Sequence, residues 1–251
     1  MDWWVSFHEE PIPNAKLGYL CLIQRSLFYN ASILLSVSYP FSLFFCYPFP
    51  VLYTLRSFAQ QRHPGIVGAS DVLIIGLGGL GFQALGLALP MLGGAPLCAD
   101  IRDEPLKVAR ARGCKTFIMT EKQSIAKIRK QSFDGTGIGG VIDFVGNTDT
   151  ANFAEAILRK GGKHVICGLF GGMLAKPVIM FPLRARCIEG SFVGSFEEAK
   201  EMMEVLRGGQ TTLPPHHFQS IMTASQSLLD LRDRKIVGRR IFQHDWPEAK
   251  V

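Results

Sequence analysis

A glycine-rich bend between two apolar segments is the feature that most constrains this chain. The segment 72–81 reads VLIIGLGGLG, and Asp100 ends the next apolar run. A short aliphatic strand enters such a bend and a helix leaves it, so the unpaired N–H groups of the helix N-terminus face an anion. Gly76 permits the tight turn, Gly78 lets a phosphate approach the backbone, and Gly81 lets the helix pack on the strand. The pattern predicts a dinucleotide-binding turn in which Asp100 accepts a ribose 2′-hydroxyl.

Composition indicates a globular protein. The chain has 251 residues, of which 47% are hydrophobic and 19% charged, and this length allows one large domain or two small ones. The formal charge of +6 is modest, and the basic residues of 102–130 alternate with acids and apolar positions at helical spacing. Solvated helix faces explain that pattern better than a nucleic-acid surface, so we expect no nucleic-acid partner.

Cysteine usage predicts reduced thiols. None of the six cysteines is close enough to another to form a CxxC motif, and Cys98, Cys114 and Cys167 sit in or beside apolar runs. We therefore expect buried thiols in a cytoplasmic protein, with neither a disulfide framework nor a zinc site.

The first 62 residues differ from the rest and form an atypical apolar leader. The stretch 26–55 contains no Asp, Glu, Lys or Arg and is long enough to cross a bilayer, so membrane association is the alternative to a cytoplasmic location. Three prolines and several serines within the stretch disfavour a membrane helix. The domain predicted to bind the dinucleotide covers 63–243 and includes a C-terminal helix and strand, and 244–251 is a tail.

After Asp71 the chain alternates strand and helix patterns, which predicts a Rossmann-type, doubly wound α/β fold with a parallel sheet of order 3-2-1-4-5-6. Ligands bind at the carboxyl ends of such strands. Pro90 is expected to kink the first helix or end it early. The expected strands are 72–75, 97–99, 116–119, 140–145, 163–167 and 188–193, and the expected helices are 80–92, 104–112, 122–130, 150–159 and 196–207.

Seven segments, in this order and spacing, resemble the coenzyme-binding half of the zinc-type, medium-chain alcohol dehydrogenases. The resemblance covers about 66–243 and implies an NAD-dependent oxidoreductase that transfers hydride between an alcohol or carbonyl substrate and the nicotinamide. The segments are VLIIGLGGLG at 72–81, AD at 99–100, ARARGC at 109–114, VIDFVG at 141–146, KGGK at 160–163, IEGSFVG at 188–194 and KIVGR at 235–239.

The resemblance also implies how the cofactor is held. The backbone near Cys167, Ser191 and Val193 would hold the nicotinamide carboxamide, Leu80 would pack behind the ring, and Arg239 would approach the pyrophosphate. Asp100 favours NAD over NADP because its carboxylate repels a 2′-phosphate, which Arg102 would partly offset. The predicted cofactor-binding residues are Gly76, Gly78, Gly79, Leu80, Gly81, Asp100, Arg102, Cys167, Ser191, Val193 and Arg239.

The departure from this family concerns catalysis. Its members carry a catalytic domain with zinc ligands before the coenzyme domain, and the 65 or so residues here lack the Gly-His-Glu motif. We therefore expect no zinc in this chain and leave the catalytic residues unassigned. His164 is predicted to be a core or edge histidine of a strand, with its hydrogen bonds satisfied, rather than a catalytic acid. His216 and His217 are predicted to be a solvated loop pair rather than a metal site. Asp143 is predicted to be a buried acid that either caps a loop or contacts the cofactor.

Two other function classes stay open. One is a non-catalytic nucleotide-binding or interaction module, and the other is a methyltransferase with a nucleoside cofactor, which also uses a glycine turn followed by an acid. The apolar edge strand expected at 188–193 invites homodimerisation by sheet extension.

Overall fold

The structure is a computed structural model that describes residues 33–35, 55, 68–121, 123–132, 135–192, 195–209 and 211–243. Most of the predicted leader, Cys21, Cys46 and the predicted tail lie outside these ranges. The strands are β1 Ile33–Leu35, β2 Val72–Ile75, β3 Leu97–Asp100, β4 Thr116–Ile118, β5 Ile138–Asp143, β6 Leu158–Ile166, β7 Cys187–Gly190, β8 His216–Ser220 and β9 Arg239–Gln243. The α-helices are α1 Gly79–Leu92, α2 Asp103–Ala111, α3 Ser124–Arg129, α4 Thr148–Ile157, α5 Met180–Arg184, α6 Phe196–Arg207 and α7 Ala224–Arg232.

A six-stranded parallel sheet forms the centre of the domain, with the order β4-β3-β2-β5-β6-β7. Counted from its first strand, this is the order 3-2-1-4-5-6, and the prediction of a doubly wound Rossmann-type sheet is confirmed. The chain crosses over between β2 and β5, so the loops after these two strands open a crevice at the carboxyl edge of the sheet.

Helices cover both faces of the sheet. Val72 and Ile74 pack with residues of α1 and α2 in one apolar cluster, whereas Leu73 and Ile75 pack with residues of α3 and α4 in a second. All four side chains of β2 are inaccessible to solvent. This two-sided burial explains why the strand sequences are continuously apolar rather than alternating.

Several boundary predictions need correction. The edge strand expected at 188–193 is the shorter β7, which ends at Gly190, so Phe192 lies after the strand. Strand β6 begins at Leu158, five residues before the predicted start, because Leu158 already pairs with Ile138 before an irregularity in the register. Helix α1 does not end at Pro90; it ends at Leu92 and is followed by Gly93 in the left-handed conformation. Pro90 removes the hydrogen bond that its N–H would donate to the carbonyl of Gly86, but the helix continues for two residues and stops at Gly93, whose left-handed conformation is typical of a helix end.

A second, three-stranded parallel sheet has the order β1-β9-β8. His216 and His217 begin β8, so their predicted placement in a loop is wrong. The imidazole of His216 instead packs edge-on against the ring of Phe218, with 5.7 Å between ring centroids. Behind this sheet, Met202 of α6 packs on Ile241 of β9.

The described cysteines are free thiols, and Cys98, Cys114 and Cys167 are buried, as the sequence predicts. The thiol of Cys98 on β3 forms a hydrogen bond with that of Cys114, which follows α2. This hydrogen bond and burial raise the pKa of the Cys98 thiol. None of the described helices combines the length and the apolar character needed to span a bilayer.

A buried ion pair ties the start of β2 to β6. The guanidinium of Arg159 donates two hydrogen bonds to the carboxylate of Asp71, at 2.7 and 2.5 Å, and the N–H of Gly139 donates a third at 2.9 Å. Both side chains are at most 10% exposed. The bidentate geometry offsets much of the desolvation cost of burying the two charges.

We predict that Arg159→Met destabilises the fold by about 3 kcal/mol, because it leaves the Asp71 carboxylate buried without its counter-ion. Urea denaturation measures the change in unfolding free energy. Lys107→Met on α2 is the matched control, since this exposed lysine makes a surface ion pair and its loss should change stability by about 0.5 kcal/mol or less. Equal effects of both substitutions would contradict the buried-pair interpretation.

Candidate nucleotide-binding crevice

The glycine bend follows β2 at the crevice. Gly76 adopts a left-handed φ of 85°, and its N–H donates to the carbonyl of Ala99 on β3 at 2.9 Å. Helix α1 then begins at Gly79 without a side-chain cap at Gly78. The first N–H groups of a helix have no partner within the helix, so the start of α1 presents donors to a ligand in the crevice.

Glycine is required at two points of this bend by close packing. A Cβ on Gly81 would lie far inside van der Waals contact with the carbonyl oxygen of Gly76. A Cβ on Gly76 would come within 2.6 Å of a methyl group of Val145, which follows β5. The bend is therefore compressed between its own helix and the neighbouring loop, as the roles assigned to these glycines require.

Asp100 lies at the end of β3 with its carboxylate aimed into the bend. One oxygen accepts the N–H of Leu77 at 2.8 Å and the other accepts the N–H of Arg102 at 3.0 Å. The side chain is 8% exposed. An ionised carboxylate has about four acceptor positions, so these two bonds leave capacity for a ligand hydroxyl.

Two arginines come close to the bend in different ways. The buried guanidinium of Arg239, from β9, lies against Gly79, so that a Cβ on that glycine would be 3.0 Å from its central carbon. Arg102 instead donates from its guanidinium to the carbonyl oxygens of Arg234 and Ile236. Arg239 therefore supplies positive charge at the start of α1, while Arg102 ties down the loop that leads to Arg239.

The loop after β5 is fixed by Asp143, which is completely buried. Its carboxylate accepts the N–H groups of Val145 and Gly146 at 2.8 and 2.9 Å and the hydroxyl of Thr150 at 2.6 Å. These contacts give Asp143 the structural role of capping the loop, which was one of its two predicted roles. The sequence signal for Thr150 is the capping box that it forms with Asn147 at the start of α4.

The loops after β5 and β6 pair with each other across the crevice. The N–H of Phe170 donates to the carbonyl of Val145 at 3.0 Å, and that of Gly171 donates to Gly146 at the same distance. A Cβ on Gly168 would overlap the backbone of Val145. This pairing was not predicted, although the glycine-rich segment GLFGG at 168–172 is a sequence signal for a close approach of two loops.

Cys167 and Ser191 lie at the carboxyl ends of β6 and β7. The N–H of Cys167 donates to the carbonyl of Asp143 at 2.8 Å, and that of Ser191 donates to Ile166 at 2.9 Å. Leu80, in the first turn of α1, packs against the apolar cluster beneath the bend. The structure thus brings most predicted cofactor residues to one edge of the sheet, whereas Val193 lies outside the described residues.

His164 is a buried residue of β6, which confirms the prediction of a core position. The prediction that its hydrogen bonds are satisfied is wrong, because neither ring nitrogen has a hydrogen-bond partner among the described residues. Its two ring nitrogens lie 3.9 Å from a carboxylate oxygen of Glu155 and 3.8 Å from one of Asp143. The described residues contain no group of three or more His, Cys, Asp or Glu side chains placed to hold a metal ion.

The family model of zinc-binding dehydrogenases matches residues 79–208, about half of the chain. This chain belongs to that family. Its NAD-dependent alcohol dehydrogenase relative from Sulfurisphaera tokodaii is 28% identical over 190 residues, which are 75% of this chain and 54% of that protein. Alcohol dehydrogenase 1 of Neurospora crassa is 27% identical and covers 72% of this chain and 52% of its own length. This family member spans about half the length of the curated relatives it matches.

Solved structures share the fold of this dehydrogenase domain. The alcohol dehydrogenase of Aeropyrum pernix superposes with a TM-score of 0.69 at 23% identity, over 79% of this chain and 56% of its own. The acetophenone reductase of Geotrichum candidum, solved in complex with NAD, has a TM-score of 0.62 at 22% identity and covers 78% of this chain and 54% of its own. The Rossmann-type fold of this family member is therefore that of alcohol dehydrogenase structures.

We predict that Gly81→Ala lowers the unfolding free energy by about 1–3 kcal/mol, because the added methyl group separates α1 from the carbonyl of Gly76. The matched control is Gly208→Ala, where a Cβ meets its nearest atoms at an ordinary 3.5 Å. Thermal and urea unfolding measure both variants. A stability of Gly81→Ala equal to that of Gly208→Ala would show that the bend is not tightly packed.

Proposed function

We propose that this chain binds NAD(H) in the crevice and that its family's hydride-transfer chemistry takes place there. The observation that carries the proposal is the pair of charges at the glycine bend. The carboxylate of Asp100 reaches the bend from β3, and the guanidinium of Arg239 reaches the start of α1 from β9. A dinucleotide needs these two charges, because its ribose hydroxyls donate to an acid and its pyrophosphate requires a cation.

The pyrophosphate would lie over the start of α1. There the helix dipole and the N–H groups at Gly78, Gly79, Leu80 and Gly81 favour negative charge, and the Arg239 guanidinium adds a full positive charge. Gly76 and Gly81 bring the helix end close to the strand that positions it. The residues thus fit the cofactor's most highly charged part.

Arg102 has a positioning role in this proposal. Its guanidinium bonds to the carbonyls of Arg234 and Ile236, and Arg234 itself has a left-handed φ of 57°. The bonds hold this turn, which lies five residues before the start of β9, and thereby help to position Arg239 beside the start of α1. Direct contact between Arg102 and the cofactor stays a prediction.

The nicotinamide end would lie over the ends of β6 and β7. The backbone near Cys167, Ser191 and Val193 would hold the carboxamide, with Leu80 behind the ring, as in the alcohol dehydrogenases that the sequence resembles. When bound, the cofactor accepts or donates hydride at this ring. The relatives' names indicate an alcohol or the corresponding carbonyl compound as the substrate class.

We derive no catalytic step through zinc, because the described residues offer no cluster of metal ligands. The stabilising group for a developing alkoxide is therefore unassigned, and the non-catalytic binding module remains the alternative. Membership of the dehydrogenase family favours the hydride-transferring enzyme and the non-catalytic binding module over the methyltransferase. Fluorescence titration with NADH, zinc analysis of the purified chain and an alcohol oxidation assay separate the two: binding with turnover supports the enzyme, and binding without turnover supports the module.

We predict that Asp100→Ala weakens NADH binding by about 1–3 kcal/mol, because a ribose hydroxyl loses a charged acceptor. NADPH binding should change much less, because the same substitution also removes the charge that repels its 2′-phosphate. Fluorescence titration of both nucleotides gives the ratio of dissociation constants.

Asp103→Asn is the control, since this acid at the start of α2 is paired with Arg110 and Lys107 on the surface. The ratio of the NADH and NADPH dissociation constants of this control should equal that of the unmodified chain. Equal weakening of NADH and NADPH binding in Asp100→Ala would mean that the acid only supports the bend through Leu77, and the assignment of the ribose contact would be withdrawn.

We also propose that two copies associate through β7. This strand pairs with β6 on one side and lies at the edge of the six-stranded sheet within the described residues. Exposed apolar side chains flank it, with Leu183 61% and Phe192 65% exposed. An unprotected edge beside such a surface favours sheet extension with a second copy.

We expect the unmodified chain to elute as a dimer in size-exclusion chromatography with light scattering, and Phe192→Lys to elute as a monomer. The added charge would be buried at the interface, which is unfavourable. Met222→Lys, at an even more exposed apolar residue beside the small sheet, should remain dimeric. A monomeric unmodified chain, or a dimeric Phe192→Lys, would rule out this interface.

A further inference from the structure

A second cavity lies beside the helices α3 and α4, which pack on one face of the main sheet. It has a volume of about 370 Å³ and is formed by α3, α4 and the segment from Lys176 to Arg186. Arg129 is the last residue of α3, and Glu155 lies in the last turn of α4. Helices in a doubly wound fold run opposite to the strands, so these C-terminal ends lie at the amino edge of the sheet.

Positive charge dominates the wall of this cavity. Four cationic side chains line it, and Glu155 is the carboxylate among its lining residues. Glu155 is already neutralised, because Arg186 donates to it at 2.6 Å and both groups are nearly buried. The remaining cations are Arg129, Lys176 and Arg184.

Within the described part of the chain, none of these three cations forms an ion pair with a carboxylate. The ammonium of Lys176 donates to the neutral side-chain carbonyl of Asn152 at 3.0 Å. The buried Nε of Arg129 has no hydrogen-bond partner among the described residues. Cations gathered in a concave wall raise the local concentration of anions, and a planar guanidinium matches the oxygens of a phosphate group.

The rest of the wall is apolar. Ile125, Met180 and Phe181 line the cavity beside the cations. A free inorganic anion would leave this surface unused, whereas a small organic molecule would cover it. The volume is within the range of small-molecule sites, roughly 300–1,000 Å³.

We propose that this cavity, here called the basic cavity, is a binding site for a small organic phosphate, separate from the crevice. The phosphate group lies among Arg129, Lys176 and Arg184, and the organic part covers Met180 and Phe181. The two negative charges of the phosphate offset two of the three positive charges that Glu155 leaves uncompensated. Binding at the basic cavity does not depend on whether the crevice takes NAD(H).

Isothermal titration of the full chain with phenyl phosphate, in the presence of saturating NADH, tests this site. Phenyl phosphate combines one dianionic phosphate with one aromatic ring. We expect Lys176→Gln and Arg184→Gln each to weaken its binding about tenfold, as the loss of one charge-assisted contact predicts. Both side chains are on the surface, so these variants should fold, and Arg129→Gln extends the series to the half-buried cation.

The controls isolate each part of the proposal. Lys107→Gln removes an exposed cation on α2, on the other face of the sheet, and should bind phenyl phosphate like the unmodified chain. Inorganic phosphate and phenol should each bind about tenfold or more weakly than phenyl phosphate, because each lacks one part of the ligand. Binding that survives Lys176→Gln and Arg184→Gln, or inorganic phosphate that binds as tightly as phenyl phosphate, would overturn the proposal.

Discussion

The structure depends on the close contact between the start of α1 and the end of β2. The absence of a Cβ at Gly81 lets the helix lie directly on the carbonyl of Gly76, and Asp100 receives the N–H of Leu77 in the same bend. These contacts fix the distance of the start of α1 from the ends of β2 and β3. That distance leaves the helix N-terminus open to the crevice, where an anionic ligand gains most from its dipole.

The C-terminal part of the chain packs against α1 and brings a cation to the glycine bend. The loop before β8 approaches α1 so closely that a Cβ at Gly86 would overlap the carbonyl of Thr212, and Gly238 lies equally close to Pro215. These contacts position the guanidinium of Arg239 against Gly79, in the first turn of α1. A buried cation at a positive helix end is electrostatically unfavourable by itself, and a bound pyrophosphate would compensate both charges.

Hydrophobic patterning was sufficient to predict the strands of the main sheet and their order, because its central strands β2, β3 and β5 are buried on both faces and a right-handed crossover leaves few topologies. It failed where a tertiary contact overrides local preference. Leu158 extends β6 because it pairs with Ile138 across an irregularity in the register, and no local signal in the sequence reveals that pairing. His216 and His217 form a strand because β9 pairs with them, although the two prolines before them suggested a loop.

The sequence by itself determined the family, the fold and the identity of the glycines and acid at the bend, because these follow from short-range spacing and from the geometry of one turn. Only the tertiary structure decided which cations face which anions. It placed Arg239 at the bend, turned Arg102 to backbone carbonyls and gathered Arg129 and Lys176 around the basic cavity. Long side chains on separate elements meet only when the sheet and helices have packed, so their charge balance is a property of the folded chain alone.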